Sequence, residues 1–249
     1  MKRNLSLILI LTVLILGCSS APDELVVADR GEEVLYQDAK QKLAVGNFSG
    51  AAELLSALDS RYPYGAYSHS VQLDLIYAYY KSGKTAETLA TIDRFIRLNP
   101  NHSDVDYVYY MRGLTQMDLD NDLFQSMLGL DRADKDPTSS RQAFADFRRL
   151  IQRYPQSKYA ADARKRMVYI KNRLAKYEIA IARFYMRRQA YVAAANRGKY
   201  VLEHYSDSSQ LQQALEIMVE SYDQLGLLEL KRNALKTLRL NFPSSSFAG

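Results

Sequence analysis

The chain of 249 residues has no tryptophan and a single cysteine, Cys18. One thiol excludes an internal disulfide, so the fold must rest on burial. The only histidines are His69, His102 and His204. Each falls near an expected turn or repeat end, and none has a second His or Cys at ligand spacing, so no metal site is expected. There is no G-x-S-x-G, no Gly-rich phosphate loop and no nucleotide fingerprint. Asp118, Asp120 and Asp122 lie close together, but such a run caps a helix end or solvates a loop. No catalytic residue, metal or cofactor is expected, and the chain is not read as an enzyme. Excess charge is slight as well: the formal net charge is +5, which carries no argument for nucleic acid.

Long apolar runs are also missing, with one exception. Lys2 and Arg3 precede a run from Leu5 to Leu16 that only Ser6 and Thr12 interrupt. It is short for a membrane span and suits a signal-peptide core. It ends Gly17-Cys18-Ser19-Ser20, and a small residue followed by Cys after an apolar core resembles the bacterial lipobox. An ordinary signal peptide with a chance cysteine is the plainer alternative. The lone cysteine stands where lipidation needs it, so residues 1–17 are read as a lipoprotein signal peptide and Cys18 as the acylated first residue of the mature chain. By resemblance to known bacterial lipoproteins, the lack of Asp after Cys18 implies the outer membrane. Residues 18–31 are polar and read as a lipidated, flexible tether. The mature protein is expected to be anchored, not spanning.

What the chain does have is helical periodicity with a repeat. From Val71 to Pro100, two short helices flank Gly83. The first carries Leu73, Leu75, Ile76, Tyr79 and Tyr80, and the second Leu89, Ile92, Phe95 and Ile96. Gly83 lies 17 residues before Pro100, as Gly46 does before Pro63 and Gly226 before Pro243. Eight and five residues before those prolines sit Leu55 and Leu58, Ile92 and Phe95, Leu235 and Leu238. The same spacing on Pro155 finds Phe147 and Leu150, with Ala143 matching Ala51. On Ser206, which replaces a proline, it finds Val201 and Ala194. Tyr62, Asn99, Tyr154, Tyr205 and Phe242 precede the five end points. The end points fall 37, 55, 51 and 37 residues apart, against about 34 for a tetratricopeptide unit. The expected fold is therefore all-α, a tetratricopeptide (TPR) helical-hairpin solenoid of about five repeats, in which stacked hairpins bury what each alone cannot.

Residues 32–155 are assigned to repeats 1–3, with an insertion at 120–137. Residues 156–249 are assigned to a long connecting helix and repeats 4–5. The insertion offers either a binding loop or a local packing loop. Ala160 to about Arg188 lacks Gly and Pro and predicts one helix of about 40 Å. Its cations (Arg164, Lys165, Arg166, Lys171, Arg173, Lys176) suit a solvated face, an acidic partner or anionic headgroups. Nineteen tyrosines add some weight to protein binding.

Specific blocks then carry a resemblance. DSRYPYG at 59–65, QLDLIYAYYK at 72–81, IDRFIRLNP at 92–100, DYVYYMRGLT at 106–115, LDRADKDP at 130–137 and RLAKYE at 173–178 resemble the BamD family. These are tetratricopeptide lipoproteins of the outer-membrane β-barrel assembly machinery. The resemblance covers essentially the whole mature chain and is weakest in the last repeat. It implies a scaffold on the periplasmic face of the outer membrane, anchored by lipid. The implied partners are the POTRA domains of the barrel subunit BamA, the accessory lipoproteins BamC and BamE, and nascent outer-membrane proteins. It implies that Arg197, in an Asn-Arg pair, contacts the last POTRA domain, where its fork suits a carboxylate. A carboxylate in place of Arg197 would then weaken the contact without unfolding the solenoid. A client's chain-terminal carboxylate and aromatic signal call for an aromatic-lined surface with a cation. Tyr62, Tyr64, Tyr67, Tyr77, Arg94 and Arg97 lie in the right repeats, though Tyr62 and Tyr77 especially fit inter-repeat core equally well. The alternative is another periplasmic tetratricopeptide lipoprotein, acting in pilus assembly or cell-envelope division.

Overall fold

A computed structural model describes residues 30–120 and 136–247. Cys18 and most of the expected insertion lie outside the described residues. Within them are ten helices and no strand. They pair as α1 (Glu32–Ala44) with α2 (Phe48–Arg61), α3 (Ser68–Lys81) with α4 (Thr85–Leu98), α5 (Val105–Asp120) with α6 (Thr138–Arg153), α7 (Ala160–Arg187) with α8 (Tyr191–His204), and α9 (Leu211–Gln224) with α10 (Leu228–Asn241). Each helix packs on its chain neighbours, and α3 also meets α5 and α7 meets α9. These five helical hairpins stacked in order form the tetratricopeptide solenoid that the repeat spacing predicts.

The turns explain the spacing. Gly46, Gly83 and Gly226 have φ of 78°, 71° and 69°. At each, the next residue's N–H reaches back five residues to close the helix: Asn47 to Lys42 O, Lys84 to Tyr79 O, Leu227 to Tyr222 O. This left-handed cap satisfies the last carbonyls of the first helix and starts the second. Nothing would crowd a Cβ at these positions, so glycine is there for its dihedral freedom. In the fourth hairpin the same cap is built on Gln189, at φ 59°, with Ala190 N–H bonded to Tyr185 O. Gln189 lies 17 residues before Ser206, so the repeat geometry persists where both the glycine and the proline are gone. At the other end, Tyr62, Asn99, Tyr154, Tyr205 and Phe242 cap the second helices. Each of their carbonyls accepts from the N–H three residues on.

The repeated apolar positions form the core. Leu58, Phe95, Leu150, Val201 and Leu238 are buried, as are Leu55, Ile92 and Phe147 three residues earlier. Each such side chain is worth roughly 1.5–3 kcal/mol in burial. The small residues Ala51, Thr88, Ala143 and Ala194 are also buried and let helices approach. Gly198 stands where other hairpins carry a bulky residue. A Cβ there would meet Ala214 O at 2.8 Å and Met218 Cγ at 2.7 Å, so α8 rests directly on α9. The core falls into four successive clusters along the chain. The predicted long helix is α7, whose 28 residues measure about 42 Å. Its first half (Ala160, Ala163, Ile170, Leu174) belongs to the second cluster and its second half (Ala175, Ile179, Ala182) to the third.

Candidate functional site

Within and between the hairpins, ion pairs join helices around buried carboxylates. Asp59 on α2 takes Arg94 from α4 and the Gln72 amide from α3, the latter at 3.0 Å. Arg112 on α5 spans two helices, bonding Asp93 of α4 at 2.9 Å and Asp146 of α6 at 2.6 Å. Glu178 on α7 is 1% exposed. It receives Arg197 from α8 at 2.9 Å and faces Arg141 from α6 at 3.6 Å. A buried carboxylate without such partners would be costly, so these pairs fix helices within a hairpin (Arg112–Asp146, Arg197–Glu178) and one hairpin on the next (Arg94–Asp59, Arg112–Asp93, Arg141–Glu178).

Arg197 thus has a partner inside the chain. Its hydrogen bond to Glu178 raises the affinity of the guanidinium for its proton further. Its side chain remains 40% exposed, and it lines a shallow hollow of about 330 Å³ together with Tyr185, Ala193, Asn196 and Tyr200. Nearby Tyr205 is pushed up to about 12, first by burial and then by Tyr200. A larger hollow of about 490 Å³ shares Asn196 and runs between α8 and α10 over α9, floored by Leu202, Leu215, Met218, Tyr222 and Ala234. The Glu178 pairing changes one expectation. A carboxylate at 197 would face a buried carboxylate across this pair, so it disturbs the joint as well as any contact. The sequence hint for Glu178 was its place in the apolar stripe of α7 after Leu174, as the only acid between Asp162 and Glu203.

The six residues expected to receive a client differ in what they touch. No ring contact, hydrogen bond or ion pair joins any two of them among the described residues. Tyr62 is half-buried against the first core cluster. The Tyr67 ring packs tilted on Tyr36 at 5.0 Å, and its N–H donates to Glu32 at 3.0 Å. Tyr77 is 38% exposed and meets Phe48 edge-on at 5.8 Å. Arg94 holds Asp59. Tyr64 is 97% exposed, and Arg97 is exposed with no ion pair among the described residues. Sequence reasoning missed a different aromatic set on the first helices of the hairpins. Tyr110 stacks on Tyr159 at 4.7 Å and donates to Asp162 at 2.7 Å, while Tyr107 packs on Tyr159 at 5.8 Å and Tyr36 donates to Asp74 at 2.8 Å. Burial first, and then the carboxylate neighbours, raise the Tyr36 and Tyr110 hydroxyls above their ordinary value. No group of three or more His, Cys, Asp or Glu able to hold a metal occurs among the described residues.

Known proteins match this chain along most of its length. A family model described as an outer membrane lipoprotein, YfiO, matches residues 28–238. The outer membrane protein assembly factor BamD of Vibrio cholerae is 50% identical over 228 residues, covering 92% of this chain and 94% of its own. BamD of Neisseria meningitidis serogroup A is 38% identical, covering 90% and 84%. BamD of Pasteurella multocida is 38% identical, covering 96% and 91%. Among solved structures, MamA is similar at TM-score 0.41 and 14% identity, covering 86% and 96%. The type IV pilus biogenesis factor PilW is similar at 0.38 and 12%, covering 88% and 97%. Neither of these two likenesses bears on function. The family model and the sequence relatives place the chain in one family: it belongs to the BamD (YfiO) family of outer membrane lipoproteins, whose relatives are outer membrane protein assembly factors.

Proposed function

We propose that this protein is a scaffold of the outer-membrane β-barrel assembly machinery, held at the periplasmic face of the membrane by acylation of Cys18. The observation that carries the reading is the 50% identity to Vibrio cholerae BamD across nearly the full length of both chains. The relatives are assembly factors, not pilus or division proteins. A solenoid suits the task because each hairpin contributes one strip to a long surface that several partners can share.

In this reading the C-terminal hairpins meet the POTRA domains of the barrel subunit. Arg197 stays on Glu178 and offers the exposed part of its guanidinium to a partner carboxylate. The apolar hollow that shares Asn196 gives that contact a second, uncharged part. The accessory lipoproteins BamC and BamE bind elsewhere on the scaffold. The N-terminal repeats receive nascent outer-membrane proteins. Of the six residues considered, Tyr64 and Arg97 keep side chains open to a client, whereas Tyr67 and Arg94 are committed to neighbours.

The test is co-purification from detergent-solubilised outer membrane. Recovery of a large POTRA-bearing barrel protein is expected, and its absence under mild conditions overturns the reading. Arg197→Lys preserves a cation over Glu178 but removes the planar fork. Weaker recovery at unchanged melting temperature assigns the contact to Arg197. Unchanged recovery removes it.

A further inference from the structure

Helix α7 carries a charge asymmetry of which the packing uses only part: Arg166 holds Asp162 and Lys171 holds Asp207. From Ala160 to Arg188 there are nine Lys and Arg residues and two acids, Asp162 and Glu178. Both acids are engaged, Asp162 by Tyr110 and Arg166, Glu178 by Arg197 and Arg141. Lys165, Tyr169, Lys176, Arg183 and Arg187 recur at helical spacing along one side, and all are exposed. Their span of 22 residues makes a straight stripe about 33 Å long. Lys165, Arg183 and Arg187 make no ion pair among the described residues. Beside the cations stand Val168, Tyr169 and Phe184, exposed by 56%, 54% and 42%.

We infer that this face of α7 lies against the anionic phospholipid headgroups of the membrane that holds the protein. The inference rests on the reading of Cys18 as acylated. A straight row of cations matches a plane of negative charge. Each Lys or Arg near such a surface gains about fivefold in affinity from the surface potential. Tyrosine, phenylalanine and valine beside the cations suit the interfacial layer, where amphipathic and apolar side chains settle between water and acyl chain. The chain outside the described residues sets the reach. Arg30 lies twelve residue steps beyond Cys18, and these extend at most about 43 Å. The solenoid therefore begins within about one α7 length of the bilayer. An acidic protein face would also attract the cations, but it gives no reason for the exposed apolar side chains between them.

The experiment uses the full lipidated chain with Val168→Cys. Acylation consumes the Cys18 thiol, so the introduced thiol alone takes an environment-sensitive dye. The protein is reconstituted into vesicles containing phosphatidylglycerol and into matched vesicles of phosphatidylcholine alone, each with a headgroup-borne quencher. Quenching on the anionic vesicles only is expected. It should disappear at ~0.5 M salt, where screening shortens to about 4 Å. It should fall by at least about a hundredfold in contact equilibrium for Lys165→Glu/Arg183→Glu/Arg187→Glu. Those side chains are exposed, and an unchanged circular dichroism spectrum verifies the fold of the variant. Equal quenching on neutral vesicles, or no response to the triple reversal, overturns the inference. Flotation of the chain with vesicles is scored separately. A chain that does not float removes the anchor reading and this inference with it, whereas a floating chain without quenching removes the inference alone. Protection of the dye only when a solubilised partner protein is added makes the face a protein dock and overturns the lipid assignment.

Discussion

Arg197 donates to Glu178 across 2.9 Å, from an exposed guanidinium to a carboxylate that is 1% exposed. The arginine is therefore oriented before any partner arrives. Its removal leaves Arg141, at 3.6 Å, as the cation facing Glu178 among the ion pairs of the described residues. Arg197→Leu should lower stability by about 1–3 kcal/mol, below the full cost of breaking a buried pair because the arginine side is open to water. Adding Glu178→Gln should recover part of that loss. Urea midpoints for the two single variants and the double variant give the coupling. Additive losses would mean the pair contributes nothing to the joint.

Gly113 lies against the ring of Phe147, where an added Cβ would meet Cε1 at 2.5 Å. Gly113→Ala should cost about 1–3 kcal/mol through overpacking. Combining it with Phe147→Leu should cost less than the sum of the single changes. Equilibrium denaturation of the three variants measures this, and strict additivity would show that α5 and α6 separate without penalty.

Gln189 is the one residue other than glycine with positive φ among the described residues. The left-handed conformation is unfavourable for a side chain, and the three sister turns use glycine. Gln189→Gly should stabilise the chain by about 0.5–1 kcal/mol, a rise in melting temperature of about 1–4 °C. A fall would mean that the glutamine side chain contributes more than its backbone costs.

Although burial works against it, the Tyr110 hydroxyl and the Arg166 guanidinium hold the Asp162 carboxyl below its ordinary value. The unfolded value is about 3.8. A carboxylate depressed in the fold contributes stability that is present above that value and is lost as pH falls below it, toward the folded pKa. Asp162→Asn should therefore be less stable than the parent at pH ~7, with the difference narrowing toward pH ~3. Urea midpoints across this range check it, and a constant difference would show that the group does not titrate with folding.

Much of the architecture was readable from the sequence because tetratricopeptide geometry leaves marks of fixed residue type. Gly46, Gly83 and Gly226 announce the turns, and Leu58, Phe95 and Leu150 announce the buried row. Gln189 does not announce its turn, since glutamine is ordinary in a helix; only its distance from Ser206 places it. The joints were hidden for another reason. Arg94 and Asp59 are 35 residues apart, and Arg112 and Asp146 are 34 apart. Such pairs depend on how the helices of one hairpin, or of two successive hairpins, rest on each other, which composition does not encode. Of the six residues expected to meet a client, Tyr67 turns toward Tyr36 and Glu32 and Arg94 toward Asp59, contacts that a place in the repeat does not reveal.

Helix α7 enters two cores, and the change from one to the other falls between Leu174 and Ala175, inside an unbroken helix. No loop at that boundary offers a pivot. A torque on the C-terminal hairpins is conveyed along the helix as along a beam, with Glu178 and its two arginines bolting the beam to α6 and α8. Docking at one end of such a scaffold can reposition the other end without any hairpin opening.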